Sequence, residues 1–198
     1  MGVNIILVVI SYFLGNISPA ILLGRIYGID IKKEGSGNAG TTNVLRVLGK
    51  KAAVITLIID ILKGVAAVLL GKYLGGHGIM LICGLAVFCG HIWPVVFKFK
   101  GGKGVATALG VLLSTTPVIG LAVLVFALAV IAVSRRVSVG AITCAIIFPV
   151  VASLYDRELM IWSITLAIVI LIKHRQNIGR LFRGEEPAIN LRNKGSKE

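Results

Sequence analysis

The sequence is poor in charge, and poorest in negative charge. Asp and Glu together number 8 against 21 Lys plus Arg, and charged residues make up only 15% of the 198 positions, where soluble domains carry about a quarter. Apolar residues fill the space, at 57% of the chain with a mean hydropathy of +0.95. Stretches long enough to cross a bilayer recur along the whole sequence, which marks an all-α integral membrane protein rather than a soluble domain. The formal charge of +13 therefore does not point to nucleic acid. In a membrane protein Lys and Arg collect on the cytoplasmic side and set the topology. Cysteine is scarce too: Cys83, Cys89 and Cys144 lie in apolar runs without a CxxC spacing and read as small buried hydrophobes. No cationic residue precedes the first apolar run, which argues for a retained first span over a cleaved signal peptide.

Hydropathy predicts helices over 3–23, 52–70 and 79–97. The next apolar run, 105–133, exceeds one span of about 20 residues. It contains Ser114-Thr115-Thr116-Pro117, and Ser or Thr before Pro marks the end of one helix and the start of another. The run therefore divides into a short helix, 103–114, and a full one, 117–134. Helices 137–154 and 159–172 follow, joined by a polar turn at 155–158. With the N-terminus outside, seven crossings put every Lys and Arg except Lys63, Lys72 and Arg157 on the cytoplasmic side. Without the division, Arg135, Arg136 and the basic tail would fall outside, against the positive-inside rule. The expectation is a single membrane-embedded domain over 1–198: seven transmembrane helices, one short, with the C-terminus cytoplasmic.

Against this background three polar segments stand out, all expected at the cytoplasmic face. In EGSGNAGTTNVLR, 34–46, glycines allow consecutive backbone amides to turn toward one point, an arrangement that binds anions. Ser36, Asn38, Thr41, Thr42 and Asn43 add neutral donors, and Arg46 can fork onto a phosphate or carboxylate. Alone, the segment reads equally well as a solvated turn. In KFKGGKGVAT, 98–107, Gly101, Gly102 and Gly104 surround Lys103 just ahead of the short helix. A nucleotide P-loop is excluded, because neither Ser nor Thr follows Lys103 and no strand precedes it. In KHRQNIGRLFRGEE, 173–186, His174 and Asn177 have helix-face spacing. His174 can donate a hydrogen bond or accept a proton near neutrality, while the arginines read as headgroup contacts.

Two further features lie at or inside the membrane. Asp60 and Lys63 are three apart within an apolar span, where ionisable groups are costly and usually paired. A structural ion pair near the site is the favoured reading, direct substrate contact the other. Ser138 is expected to start a helix just after Arg135 and Arg136, either as a plain N-cap or as part of an anion site. Two glycine-rich cradles and a His/Asn/Arg segment on one membrane face suggest phosphate-bearing substrates with an apolar tail.

These residues resemble the bacterial acyl-phosphate:glycerol-3-phosphate acyltransferases, the PlsY family. Its GSGNxGxTN motif is matched at 35–43 with Arg46 following, its KGGKGVAT motif at 100–107, and its H-R-x-N-I-x-R-L…G-x-E motif from His174 to Glu186. Its D-x-x-K-G and HIxPV elements match at 60–64 and 91–95, so the likeness spans essentially the full chain. Ala39, Thr41 and Arg136 stand where the family commonly has Pro, Ala and Tyr.

The resemblance implies transfer of a fatty acyl group from acyl phosphate to the 1-hydroxyl of glycerol 3-phosphate, giving lysophosphatidic acid and inorganic phosphate, the first step of phospholipid synthesis. It implies no metal or other cofactor, a place in the bacterial cytoplasmic (inner) membrane, and a cytoplasm-facing site. On this reading Ser36, Gly37, Asn38, Gly40, Thr42, Asn43, Gly101, Gly102 and Gly104 bind phosphate. Arg46, Lys103, Ser138, His174 and Asn177 hold glycerol 3-phosphate and orient its hydroxyl, and Asp60, Lys63 and Arg135 support them. The expected partners are the two substrates, the bilayer and the upstream enzyme that makes the acyl phosphate.

No covalent acyl-enzyme is favoured. No Ser/His/Asp or Cys/His signature is present. The HxxxxD motif of other glycerolipid acyltransferases is missing, since Ile82, Val96 and Gly179 stand five residues after the three histidines. The proton acceptor is either His174 or a substrate phosphate oxygen. The alternative from another class is an organic-phosphate transporter using the same cradles at a broken helix, although no clear internal repeats accompany them.

Overall fold

The computed structural model describes residues 2–155 and 157–189. Of the expected single domain, positions 1, 156 and 190–198 lie outside the described residues. The chain is all helical there: α1 (Gly2–Asn16), α2 (Pro19–Ile26), α3 (Thr41–Val47), α4 (Lys50–Gly75), α5 (His77–Ile92), a 3-10 turn (Val95–Phe97), α6 (Val105–Thr115), α7 (Pro117–Ser134), α8 (Val137–Ser153), α9 (Arg157–Lys173) and α10 (Arg175–Phe182). Among the described residues, four segments are long and apolar enough to cross a membrane: Gly2–Ile26, Lys50–Gly75, His77–Phe97 and Pro117–Ser134. Shorter apolar helices accompany them at Val105–Thr115 and Val137–Ser153.

Proline sets three of the boundaries by one mechanism. The residue before a proline is driven out of the α region. Thr116 sits at φ −137°, ψ 80°, so α6 stops and Pro117 opens α7, as expected. The same happens at Ser18, at φ −113°, ψ 91°, ahead of Pro19. There the expectation of one helix over 3–23 is corrected: the first span is broken into α1 and α2. The expected helix 79–97 likewise ends at Ile92, before Pro94, and finishes in a separate 3-10 turn. Of the two readings of Ser138, the N-cap is corrected: the cap is Arg136 and Ser138 lies inside the first turn of α8.

The helices meet through glycines. Gly15 of α1 faces Gly90 of α5, and a Cβ on Gly90 would overlap the Tyr12 carbonyl oxygen. Gly110 of α6 lies against the Ile61 carbonyl of α4 in the same way. In lipid the association of helices rests on such close approach. A large apolar core, with Val87, Phe88, Val111, Phe148, Trp162 and Leu166, fills the body of the bundle. A smaller one, with Ile21, Ile31, Ala39, Val44 and Ala52, lies beneath the polar loops. Gly90→Ala should cost roughly 1–3 kcal/mol by overpacking and lower the unfolding temperature in detergent. Gly78→Ala, whose Cβ would meet open space, should leave it unchanged.

Candidate active site

Contacts bring the polar segments to one end of the bundle: Gly102 lies against His91 and the Ala39 carbonyl, Lys103 reaches Asn177, and Ser138 reaches Glu186. The polar segments 34–46, 98–107 and 173–186 all belong to that end. Their foundation is a buried charge cluster. Lys63, half-way along the 26-residue α4, lies 2.7 Å from the Asp60 carboxylate. Its ammonium also donates to the Gly15 and Ile17 carbonyls at 3.2 and 2.7 Å and meets His91 Nδ1 at 2.8 Å. Those two carbonyls belong to the break between α1 and α2, where a helix interruption frees backbone groups that lipid cannot satisfy. Asp60 and Lys63 thus form the ion pair expected from sequence, and His91 joins it, with Nδ1 3.3 Å from Asp60.

The second glycine segment rests directly on His91. The Gly101 and Gly102 amides donate to the carbonyls of Ile92 and His91, each at 3.2 Å. A side chain at Gly102 would strike the His91 ring and come within 2.8 Å of the Ala39 carbonyl oxygen. These two amides are therefore spent on holding the loop to α5. Gly104, at φ +82°, then turns the chain into α6.

In segment 34–46 the structure separates the donors. Asn43 is fully buried: its Oδ1 accepts the Ser36 amide at 2.8 Å and its Nδ2 donates to the Ile31 and Glu34 carbonyls at 3.0 Å. It staples the loop. Gly37 at φ +68° and Gly40 at the start of α3 shape the turn. Ser36 and Gly37 stay exposed, and Asn38 and Thr42 are half-buried. Arg46, on the last turn of α3, is exposed, and its charge bears on Lys103.

The third segment brings its residues together around a carboxylate that the expected site did not include, Glu186. Lys103 Nζ donates to Asn177 Oδ1. Asn177 Nδ2 donates to Glu186 Oε1 at 2.6 Å, and Ser138 Oγ donates to the same oxygen at 2.7 Å. Arg180 Nε donates to Glu186 Oε2 at 2.7 Å, and Arg136 Nε to the Glu186 backbone carbonyl at 2.8 Å.

Glu186 reaches this point because α10 ends in a Schellman turn. Gly184 takes φ +70°, its amide donates to the Leu181 carbonyl and that of Glu185 to the Arg180 carbonyl. Burial works against the Glu186 charge. The hydrogen bonds from Ser138, Asn177 and Arg180, with the Arg180 charge, outweigh it and lower the carboxyl pKa. Arg135 stands apart: its side chain is exposed, and its backbone, at φ 54°, caps α7 and accepts the Ile189 amide.

His174 is buried at the α9–α10 junction, with Nδ1 2.8 Å from the Ile170 carbonyl. A carbonyl only accepts, so Nδ1 carries the hydrogen and Nε2 is left as an acceptor. Burial, then the nearby Lys103 charge, pushes its pKa down to about 4. Burial also pushes Lys103 down to about 8, aided by Arg180, Arg46 and Lys173 and opposed by Glu186. At neutral pH the site therefore holds a neutral imidazole beside a protonated lysine.

The chain's residues 5–184 match the family model for glycerol-3-phosphate acyltransferase. The chain belongs to this family. The enzyme of that name from Thermoanaerobacter pseudethanolicus is 46% identical over 181 residues, covering 90% of this chain and 91% of that one. That from Thioalkalivibrio sulfidiphilus is 46% identical over 196 residues, covering 97% of each. Among solved structures, PlsY, an integral membrane glycerol 3-phosphate acyltransferase, matches in its glycerol 3-phosphate form with a TM-score of 0.90 and 36% identity, over 94% of this chain and 96% of that one. Its lysophosphatidic acid form matches with a TM-score of 0.87.

Sequence reasoning passed over Glu186 and Arg180 as site residues, although both stand in the third motif; their Gly184 turn was the available signal. If Glu186 aligns Asn177, Ser138 and Arg180, Glu186→Ala should lower kcat by roughly a hundredfold, the cost of a misplacement near 1 Å. Glu186→Gln, which keeps an acceptor for Ser138 and Asn177, should retain more activity. The comparison is made by steady-state kinetics on both variants at matched folding.

Proposed function

We propose that this protein transfers a fatty acyl group from acyl phosphate to the 1-hydroxyl of glycerol 3-phosphate, releasing inorganic phosphate and lysophosphatidic acid. One observation carries the reading: in a member of the glycerol-3-phosphate acyltransferase family, Lys103, Asn177, Ser138 and neutral His174 lie at one bundle end around a single carboxylate. A transporter has no call on a neutral imidazole with an open acceptor nitrogen, and family membership favours the enzyme.

In the reaction the glycerol 3-phosphate hydroxyl attacks the acyl carbonyl carbon. A new C–O ester bond forms, the bond from that carbon to the phosphate oxygen breaks, and phosphate leaves with the electron pair. The hydroxyl proton goes to His174 Nε2 or to an oxygen of the substrate phosphate. The acyl donor is already activated, so the protein's task is to hold two anionic groups close and in line, which contributes about 7–11 kcal/mol toward the barrier. Lys103, Arg46 and Arg180 supply the charge that makes this possible, and neutral donors at Asn177, Ser138, Ser36, Asn38 and Thr42 add direction. Asn43, Gly101 and Gly102 act by fixing the loops.

On this reading α1 with α2, then α4, α5, α6, α7, α8 and α9 form seven crossings. The N-terminus is outside, the C-terminus inside, and the site is at the cytoplasmic face of a bacterial inner membrane. The whole described chain serves as one domain.

The test is direct. Purified protein in lipid is given palmitoyl phosphate and glycerol 3-phosphate, with palmitoyl-CoA as a parallel donor. Phosphate and lysophosphatidic acid should appear together, from the acyl phosphate alone; activity confined to the CoA donor would refute the donor assignment. His174→Ala should lower kcat, and near-full turnover would leave the substrate phosphate as the proton acceptor. Lys103 binds anions only when protonated, so kcat/KM for glycerol 3-phosphate should fall as pH rises through about 8. His174, charged only below about 4, should contribute no inflection between pH 6 and 8, a window chosen around its ordinary value of about 6.5.

A further inference from the structure

The Phe97 ring is an unusual meeting point of positive charge. Arg25, at the end of α2, places its guanidinium carbon 5.6 Å from the ring centroid, and Lys32, from the loop after α2, places Nζ 5.5 Å from it. Lys32 also donates to the Phe97 carbonyl at 3.5 Å. Phe97 itself is fixed, packed against the small core beneath the polar loops. Lys98 and Phe99 follow in the left-handed region, at φ 55° and 59°. Two adjacent non-glycine residues there are costly. They are held by bonds from the Lys98, Phe99 and Lys100 amides to the Val95, Pro94 and Phe97 carbonyls. The turn so built exposes Val96, Lys98, Phe99 and Lys100 together. The neighbouring carboxylates are Asp30 and Glu34, against the cations Arg25, Lys32, Lys33, Lys98 and Lys100. None of these groups has a role in the reaction proposed above.

We propose that this turn, with the end of α2 and the loop after it, binds the headgroup of an anionic phospholipid. The occupant follows from where the patch lies and what it offers. It closes the apolar spans Gly2–Ile26 and His77–Phe97. The 16 residues of α5 rise about 24 Å, so the turn beyond them falls near the edge of a hydrocarbon core about 30 Å thick. Trp93 is exposed beside it, with Lys173 Nζ 5.9 Å from its ring centroid, and indoles gather at that level. Exposed Val96 and Phe99 suit acyl chains, and the clustered cations suit a phosphodiester. A soluble acidic protein would match the charge and leave the apolar side chains unexplained. The headgroup would sit on the loop whose far end carries Lys103, so anionic lipid would steady the site from outside it.

Trp93 reports on the patch. It is 39% exposed, and the other tryptophan, Trp162, is 4% exposed in the core. In Trp162→Phe protein reconstituted in phosphatidylcholine vesicles, brominated phosphatidylglycerol should quench Trp93 more steeply than brominated phosphatidylcholine. Removing two cations with Arg25→Gln/Lys32→Gln should weaken the phosphatidylglycerol preference roughly tenfold, and Lys50→Gln/Lys51→Gln, at the start of α4, should leave it intact. Should Trp162→Phe fail to fold, native mass spectrometry of the otherwise unaltered chain and the two double variants, titrated with each lipid, gives the same comparison. Equal quenching by both lipids overturns the proposal, as does equal weakening by both double variants, which would mean diffuse attraction. Displacement of phosphatidylglycerol by saturating glycerol 3-phosphate would make the patch a soluble-anion site and also overturn it.

Discussion

The Lys63 ammonium lies half-way along an apolar helix, where a bilayer offers it nothing, and it is bonded to the Gly15 and Ile17 carbonyls, to Asp60 and to His91. Each partner needs it as much as it needs them. The carbonyls were freed when Pro19 broke the first span, Asp60 is a charge in a low-dielectric interior, and His91 supports the loop that carries Lys103. Removing one member of a buried ionic group typically costs about 3–5 kcal/mol, because the others are left uncompensated. The cluster ties α1, α4 and α5 together at one depth, and the polar loops are laid on top of it.

Above that base the site is organised by Glu186. One carboxylate oxygen accepts from both Ser138 and Asn177, the other from Arg180, and Asn177 passes the connection to Lys103. Four residues from three segments far apart in sequence are thus aligned by a single negative group, in a chain that has few. The excess of cations left over is what the proposed pair of phosphate-bearing reactants requires. The neutral state of His174 follows from the same crowding, since a protonated imidazole beside Lys103 would add like charge in a buried place.

Much of this was legible in sequence where one local rule decides. The division of the long apolar run at Pro117 followed from the residue before a proline, and the pairing of Asp60 with Lys63 from their spacing in an apolar helix. The break at Pro19 obeys the rule used at Pro117 but went unread, because hydropathy does not dip there and one span of that length needs no interruption. Orientation was not legible at all. Asn43 and Ser36 look alike as polar loop residues, yet Asn43 points inward because three backbone groups of its own loop need partners. The amides of Gly101 and Gly102 looked free and are taken by carbonyls at the end of α5. His91 belongs to the site only through contacts with a distant segment, which no local pattern encodes, and Glu186 meets Ser138 in the same way, although its Gly184 turn could be read locally.

The position of Glu186 has a consequence for how the protein is made. It follows every apolar helix in the chain, beyond the Gly184 turn. Chains emerge N-terminal end first and their parts fold in that order, so the group that aligns Ser138, Asn177 and Arg180 is among the last to reach its place. A nascent chain would carry both glycine loops and the buried ionic base, yet remain without its organising carboxylate until the last helix had passed. Assembly and competence are thereby separated in time, and a chain whose last turn is not yet seated lacks the alignment on which full turnover depends.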